Sequence, residues 1–196
     1  YQPIMRADRK ITPSIVGQRA IYSNLAYPGK RLQAEASVRK FLQNYSGALK
    51  MRFDDQGLVL KKVQHGLTGS RVFLEPMFNG KKVLGASVSA QMGTDGTINK
   101  LQAVHYANLK VAPGHEGAPA LNIKAAENAA RKAIGMVKPS NVLRSDLFWY
   151  PRPDGTAVQV WQLYMNSPDT HGNFRTVVNA VSGEVYLFYD ANLYAS

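Results

Sequence analysis

Hydrophobic and polar positions along the chain keep two periods, and each change of period marks an element. From Arg31 to Ser46 the apolar residues Val38, Phe41, Leu42 and Tyr45 fall at i, i+3, i+4 and i+7, one face of a helix, and Gly47 stands where such a helix ends. The period then becomes two. "MRFD" (51–54) and "LVLKKV" (58–63) read as short strands around "DQG", and Arg71 to Phe78 reads as the next. Asn79-Gly80 predicts a tight hairpin, because both central residues of that turn take positive φ. Lys82 to Met92 follows as a strand, "GTDG" around Asp95-Gly96 as a second turn, and Thr97 to Lys110 as a longer strand.

The run "VAPGHEGAPA" (111–120) interrupts this pattern with Pro and Gly and sets a module boundary. Beyond it Asn122 is placed to cap a second helix, whose stripe Ile123, Ala126, Ala130 and Ile134 is narrow and alanine-rich, before Gly135. Four strands are expected next: Val142 to Tyr150, Thr156 to Met165, Asn173 to Val181 and Glu184 to Asp190, turning at Asp154-Gly155, "SPDTHG" and Ser182-Gly183. Residues 1–30, with Pro3, Pro13, Gly17, Pro28 and Gly29, read as an extended arm. The fold class is therefore α+β, in two modules, each a helix packed on an antiparallel meander: 31–112, a linker at 113–120, and 121–196.

Charge adds one asymmetry. The 196 residues carry 24 Lys and Arg against 13 Asp and Glu, and residues 1–62 hold twelve of the bases with only four acids. Such an excess draws a protein towards acidic partners, and Lys30, Arg31, Lys61 and Lys62 are candidates for a partner-facing basic surface; a solvated face that aids solubility is the alternative. Cysteine is absent, which removes disulfides, thiolate metal sites and a Cys nucleophile together. No apolar run approaches the length of a membrane span, and "YQPIMRADRK" has no signal-peptide core. A chain beginning at Tyr1 is expected to be processed, with any signal already removed.

Catalytic patterns are missing. His65, His105, His115 and His171 are not paired at helical spacing, and His115-Glu116 opens like the zinc motif H-E-x-x-H but continues "HEGAP", with Pro119 in place of the second His. Ser70, in "LTGSR", lacks the flanks of a nucleophile elbow, Asp54-Asp55 reads as a turn, and no phosphate loop occurs. Neither a catalytic residue, a metal site nor a cofactor is expected. Trp149 and Trp161 read as a core or cross-strand aromatic pair, while Tyr150 and Arg152 are a minor candidate for stacking a base or sugar. Nucleic acid is not favoured as a partner, since no reading motif accompanies the charge.

The turn pattern resembles a known family. In "SRVFLEPMFNGKKVLGASVSAQMGTDGTINKLQ", Phe78, Asn79, Gly80, Val83, Gly85, Val88, Asp95 and Gly96 follow in order the pattern of the fungalysin/thermolysin propeptide domain. "IKAAENAARKAI", "LFWYPRPDG", "VQVWQLYM" and "FRTVVNAVSGEVYLFYDANL" are similar to the PepSY domain that follows it in such precursors, with a final hairpin of Val178, Asn179, Ala180, Ser182, Gly183, Glu184 and Val185. The two matches span about residues 31–191. Glu75-Pro76 stands where a Gln-rich strand is usual and Asn179 replaces the common Asp, which leaves the peptidase group open.

The resemblance implies a secreted propeptide, an intramolecular chaperone and inhibitor of the zinc metallopeptidase catalytic domain in the same precursor, with a cystatin-like second module. On that reading the tail Asn192, Leu193, Tyr194, Ala195 and Ser196 lies in the peptidase cleft, with Leu193 and Tyr194 as anchors; a frayed terminus is the other reading. A stand-alone extracellular or envelope binding module without an attached peptidase is the alternative function.

Overall fold

The computed structural model describes residues 18–46, 57–106, 108–168 and 172–190. They form an α+β protein with antiparallel sheets, in two compact units divided between Leu109 and Lys110.

In the first unit, β1 (Gln18–Tyr22), α1 (Ala34–Tyr45), β2 (Leu58–Gly66), β3 (Gly69–Phe78), β4 (Lys81–Lys82), β5 (Ser87–Met92) and β6 (Ile98–His105) follow in chain order. The sheet order is β1-β6-β5-β3-β2, with β4 added beside β3. Helix α1 forms because its apolar stripe has somewhere to go: Ala34, Val38, Phe41 and Leu42 are buried with Val72, Leu74, Val88, Met92, Ile98 and Leu101. Leu42 is among the largest fully buried side chains, and its truncation to Ala in such a core costs about 2–5 kcal/mol.

Two turns read from the sequence have the expected chemistry. Asn79 and Gly80 both take positive φ, at 42° and 74°, and reverse the chain between β3 and β4. At the second turn Asp95 accepts from the Thr97 N–H and Oγ1–H, both at 2.9 Å.

Three expectations change. The strand expected from Lys82 to Met92 is two pieces, β4 and β5, separated by a turn that the Ala86 N–H closes onto Val83 O at 3.1 Å. The strand expected to Lys110 stops at His105, and Asn108, in the left-handed region at φ 56°, turns the chain into the next unit. Of the segment read as an arm, Gln18–Tyr22 is a strand paired with β6, and Tyr27 bridges Ile98. Of its Pro and Gly residues, Pro28 and Gly29 are described and lie between that strand and α1, and Pro3, Pro13 and Gly17 lie outside the described residues. "MRFD" lies outside the described residues.

The second unit holds β7 (Lys110–Val111), α2 (Ile123–Ile134), β8 (Asn141–Pro151), β9 (Thr156–Asn166), β10 (Asn173–Asn179) and β11 (Val185–Asp190). Strand β9 is central, between β8 on one side and β10 on the other, with β11 outside β10; β7 pairs in parallel with the start of β9. Asn122 caps α2, its Oδ1 accepting from Ala125 N–H at 2.9 Å. Small Ala126 and Ala130 let the helix lie close to Leu163, Met165, Phe174 and Val178, which form its core. Ile123, expected in the stripe, is exposed, and Glu127 is buried in its place.

Candidate functional site

Of the polar groups singled out in the sequence, His65, Ser70 and His115 are spent on structure. At the β2-β3 hairpin, His65 Nδ1 lies 2.7 Å from Ser70 Oγ, a distance that a hydroxyl nucleophile and its base would have. Ser70, however, is buried, and its hydroxyl also accepts from Arg31 Nε at 3.4 Å while Arg31 Nη2 holds Gly66 O at 2.7 Å. The trio fastens the segment leading into α1 to the hairpin.

His115 is buried too. Its Nδ1 accepts the backbone N–H of Gln159 at 3.0 Å, so the ring is the neutral tautomer with its proton on Nε2. Gln159 answers from its side chain, Nε2 donating to His115 O at 2.6 Å and Gly117 O at 2.8 Å. The segment read as a linker is thus docked on β9 at His115 and Gly117. Burial, reinforced by the Arg152 charge, holds the His115 pKa below its ordinary 6.5, against a smaller opposing pull from Glu116.

Glu127, which the sequence reading did not single out, is a further structural tie. Burial pushes its carboxyl up, but hydrogen bonds from Lys124 Nζ (2.9 Å) and Ser140 Oγ (2.8 Å), with the charges of Lys124 and Arg131, leave it below the ordinary value. It tethers α2 to the chain entering β8. Among the described residues no three His, Asp or Glu side chains gather as metal ligands. Asp54, Asp55 and His171 lie outside the described residues.

The candidate basic surface is divided. Arg31 is tied at the Gly66 end of β2, beside Lys30, whereas Lys61 and Lys62 are four to five residues away along that strand, about 14–17 Å. Lys61 lies 3.7 Å from Glu75, and Lys62 sits over the Phe73 ring at 4.8 Å. With a bulge between Leu60 and Lys62, these lysines discourage pairing along β2, an edge strand among the described residues. Asn192, Leu193, Tyr194, Ala195 and Ser196 lie outside the described residues.

The tryptophans do not face each other across the ladder. Trp149 opposes Gln159, and Trp161 opposes Leu147 and donates through Nε1 to Leu121 O at 2.7 Å. Tyr150 stacks on Tyr186, 4.9 Å between centroids, so that face of its ring is already used.

What the sequence reading missed is an apolar groove in the first unit. Tyr22, Leu25, Tyr27, Pro28, Phe41 and Tyr45 line a cavity of about 390 Å³. Tyr27, Phe41 and Tyr45 pack as a trio with centroids 5.1–5.7 Å apart, and Asn44 Nδ2 fixes the Tyr27 hydroxyl at 3.0 Å. Tyr45, expected in the core, is 44% exposed and forms one wall. The signal was the aromatic spacing of "IYSNLAYP" within the supposed arm. No acid, base or nucleophile is among its lining residues, which are apolar and aromatic.

No family model and no curated protein sequence matches the chain. Among solved structures it is similar to the C-terminal domain of Bacillus megaterium YpeB, with 15% sequence identity and a TM-score of 0.43, over 85% of this chain and 68% of that one. Among the described residues no helix is long and apolar enough to cross a membrane.

Proposed function

We propose that this chain is a non-catalytic binding and folding partner: the propeptide of a secreted zinc metallopeptidase, covering the catalytic domain of its own precursor. The observation that carries the reading is the ordered series of turn motifs, Asn79-Gly80, Asp95-Gly96 and Ser182-Gly183, in an α+β chain of two compact units. Such a series resembles a fungalysin/thermolysin propeptide domain followed by a cystatin-like PepSY domain. The use of His65, Ser70, His115 and Glu127 as structural ties supports the same view, since a covering protein needs surface and a few anchors rather than reactive groups.

The test is inhibition of the precursor's peptidase domain by the purified chain, with and without residues 191–196. Potent inhibition by the full chain is expected, with at least about a tenfold loss, or 1.4 kcal/mol, on deletion of the tail. A full chain that neither binds nor inhibits the domain overturns the proposal. Inhibition indifferent to the deletion moves the inhibitory segment away from Asn192 to Ser196.

A further inference from the structure

The sheet of the second unit has a second face. Leu163, Met165, Phe174 and Val178 point to α2, so the alternate residues of β9 and β10 point away from it. There the register sets four side chains in one row across all four long strands: Arg144 opposes Tyr164, Tyr164 opposes Arg175, and Arg175 opposes Tyr189. Arg144 is already neutralised, its Nε 2.6 Å from Asp146 Oδ2. Arg175 is held differently. Its Nε and Nη2 both donate to Gln162 Oε1, at 3.1 and 2.6 Å, and its Nη1 donates to the Tyr189 hydroxyl at 2.9 Å. All three contacts are to neutral acceptors.

This is a guanidinium held rigid by neutral groups among the described residues. Gln162 is itself buried and oriented by its Nε2 contact to the Tyr164 hydroxyl at 3.3 Å, and the Arg175 guanidinium lies 5.8 Å from the Tyr189 ring centroid. Of five N–H donors these contacts use three, which among the described residues leaves one on each terminal nitrogen for a planar anion. Half-buried Leu187 and Phe148 lie on the same face, one and two rows along. Tyr, Arg and apolar side chains on a rigid sheet are the composition of a protein-binding surface, and fixing the fork beforehand lowers the ordering cost of binding.

We infer that this face binds a carboxylate-bearing extended segment of a partner protein, the acid on Arg175 and a neighbouring apolar side chain towards Leu187. A second copy of the chain is a poor occupant, because two-fold apposition of the face sets Arg175 against Arg175. A nucleic-acid strand needs a track of cations, and Asp146 has taken the other one in the row. The inference deepens the proposed function by naming the chemistry of the contact, and rests on it only for who the partner is.

The test is fluorescence anisotropy of the full chain with a labelled nonapeptide of three Glu-Leu-Ser repeats, its Gln-for-Glu counterpart, and a labelled oligothymidylate. The Glu peptide should bind, the Gln peptide at least about tenfold more weakly, and Arg175→Met should lose about the same. Arg175→Lys keeps the charge but not the fork, and should also bind several-fold more weakly while unfolding cooperatively, which decides the matter if the Met variant does not fold. Lys61→Gln with Lys62→Gln controls for the chain's general basicity and should change affinity less than threefold. Equal binding of the two peptides, indifference to both Arg175 substitutions, or tighter Arg175-dependent binding of the oligonucleotide overturns the inference. If peptide binding behaves as expected while peptidase inhibition is absent, the propeptide reading falls and the Arg175 site stands. If the peptidase is inhibited while the Glu peptide does not bind, the Arg175 site falls and the propeptide reading stands.

Discussion

His115 ties a Pro/Gly segment to a sheet through one ring nitrogen, and that choice of residue makes the tie sensitive to pH. Protonated Nδ1 cannot accept the Gln159 N–H, so the folded state resists protonation and the His115 pKa lies below 6.5, by burial first and the Arg152 charge second. Between the folded pKa and 6.5 the unfolded chain binds more protons, so stability falls as the pH drops through that window and is fully present above it. His105, lowered by burial, adds in the same direction. At pH 7.5, His115→Ala should cost about 1–3 kcal/mol by stranding the Gln159 N–H, and should flatten the loss of stability between pH 7 and 5. Urea midpoints of the two proteins across that range check both; a slope unchanged by the substitution assigns the pH dependence elsewhere.

At the scale of elements, Gly80 and Gly96 separate two reasons for a glycine. Both have positive φ, 74° and 88°, but a Cβ on Gly80 meets nothing within 4 Å, whereas one on Gly96 would lie 2.6 Å from Gly29 O. Gly80→Ala should therefore cost about 1–2 kcal/mol for the backbone alone. Gly96→Ala must in addition push the chain entering α1 off the second turn, and should cost at least about 1 kcal/mol more, read as the difference in urea midpoint at constant m-value. Equal losses would mean that the Gly29 segment moves freely. The same contrast marks what was legible in the sequence. Turn chemistry is local, so Asn79-Gly80, Asp95-Gly96, the Asn122 cap and the two helices could be read directly. The arm could not: the backbone of Tyr22, Leu25 and Tyr27 is placed by β6, some 75 residues on, a non-local pairing that no window reveals. Arg175 was hidden for the same reason, since its neutral surroundings are set by the register of β9 and β11.

For the whole molecule the charge is unevenly held. Up to Leu109 the chain has sixteen Lys and Arg against six Asp and Glu, and from Lys110 onward eight against seven. The first part therefore carries nearly all the long-range attraction for an acidic partner, while Arg175 is a single fixed contact in a nearly neutral unit. If the proposed peptidase partner is right, these should appear in different rate constants of binding to its catalytic domain. Exposed charge guides encounter and is screened beyond about 8–10 Å at ordinary ionic strength, so raising NaCl from 50 to 300 mM should slow association by about an order of magnitude. A desolvated fork holds the formed complex, so Arg175→Lys should speed dissociation several-fold and leave the salt dependence of association as it was; substituting exposed lysines such as Lys30 and Lys40 should do the opposite. Kinetics on immobilised peptidase domain distinguish them. If salt alters neither rate, the basic excess serves solubility alone, and if Arg175→Lys acts on association instead, the guanidinium takes part in encounter rather than in the formed contact.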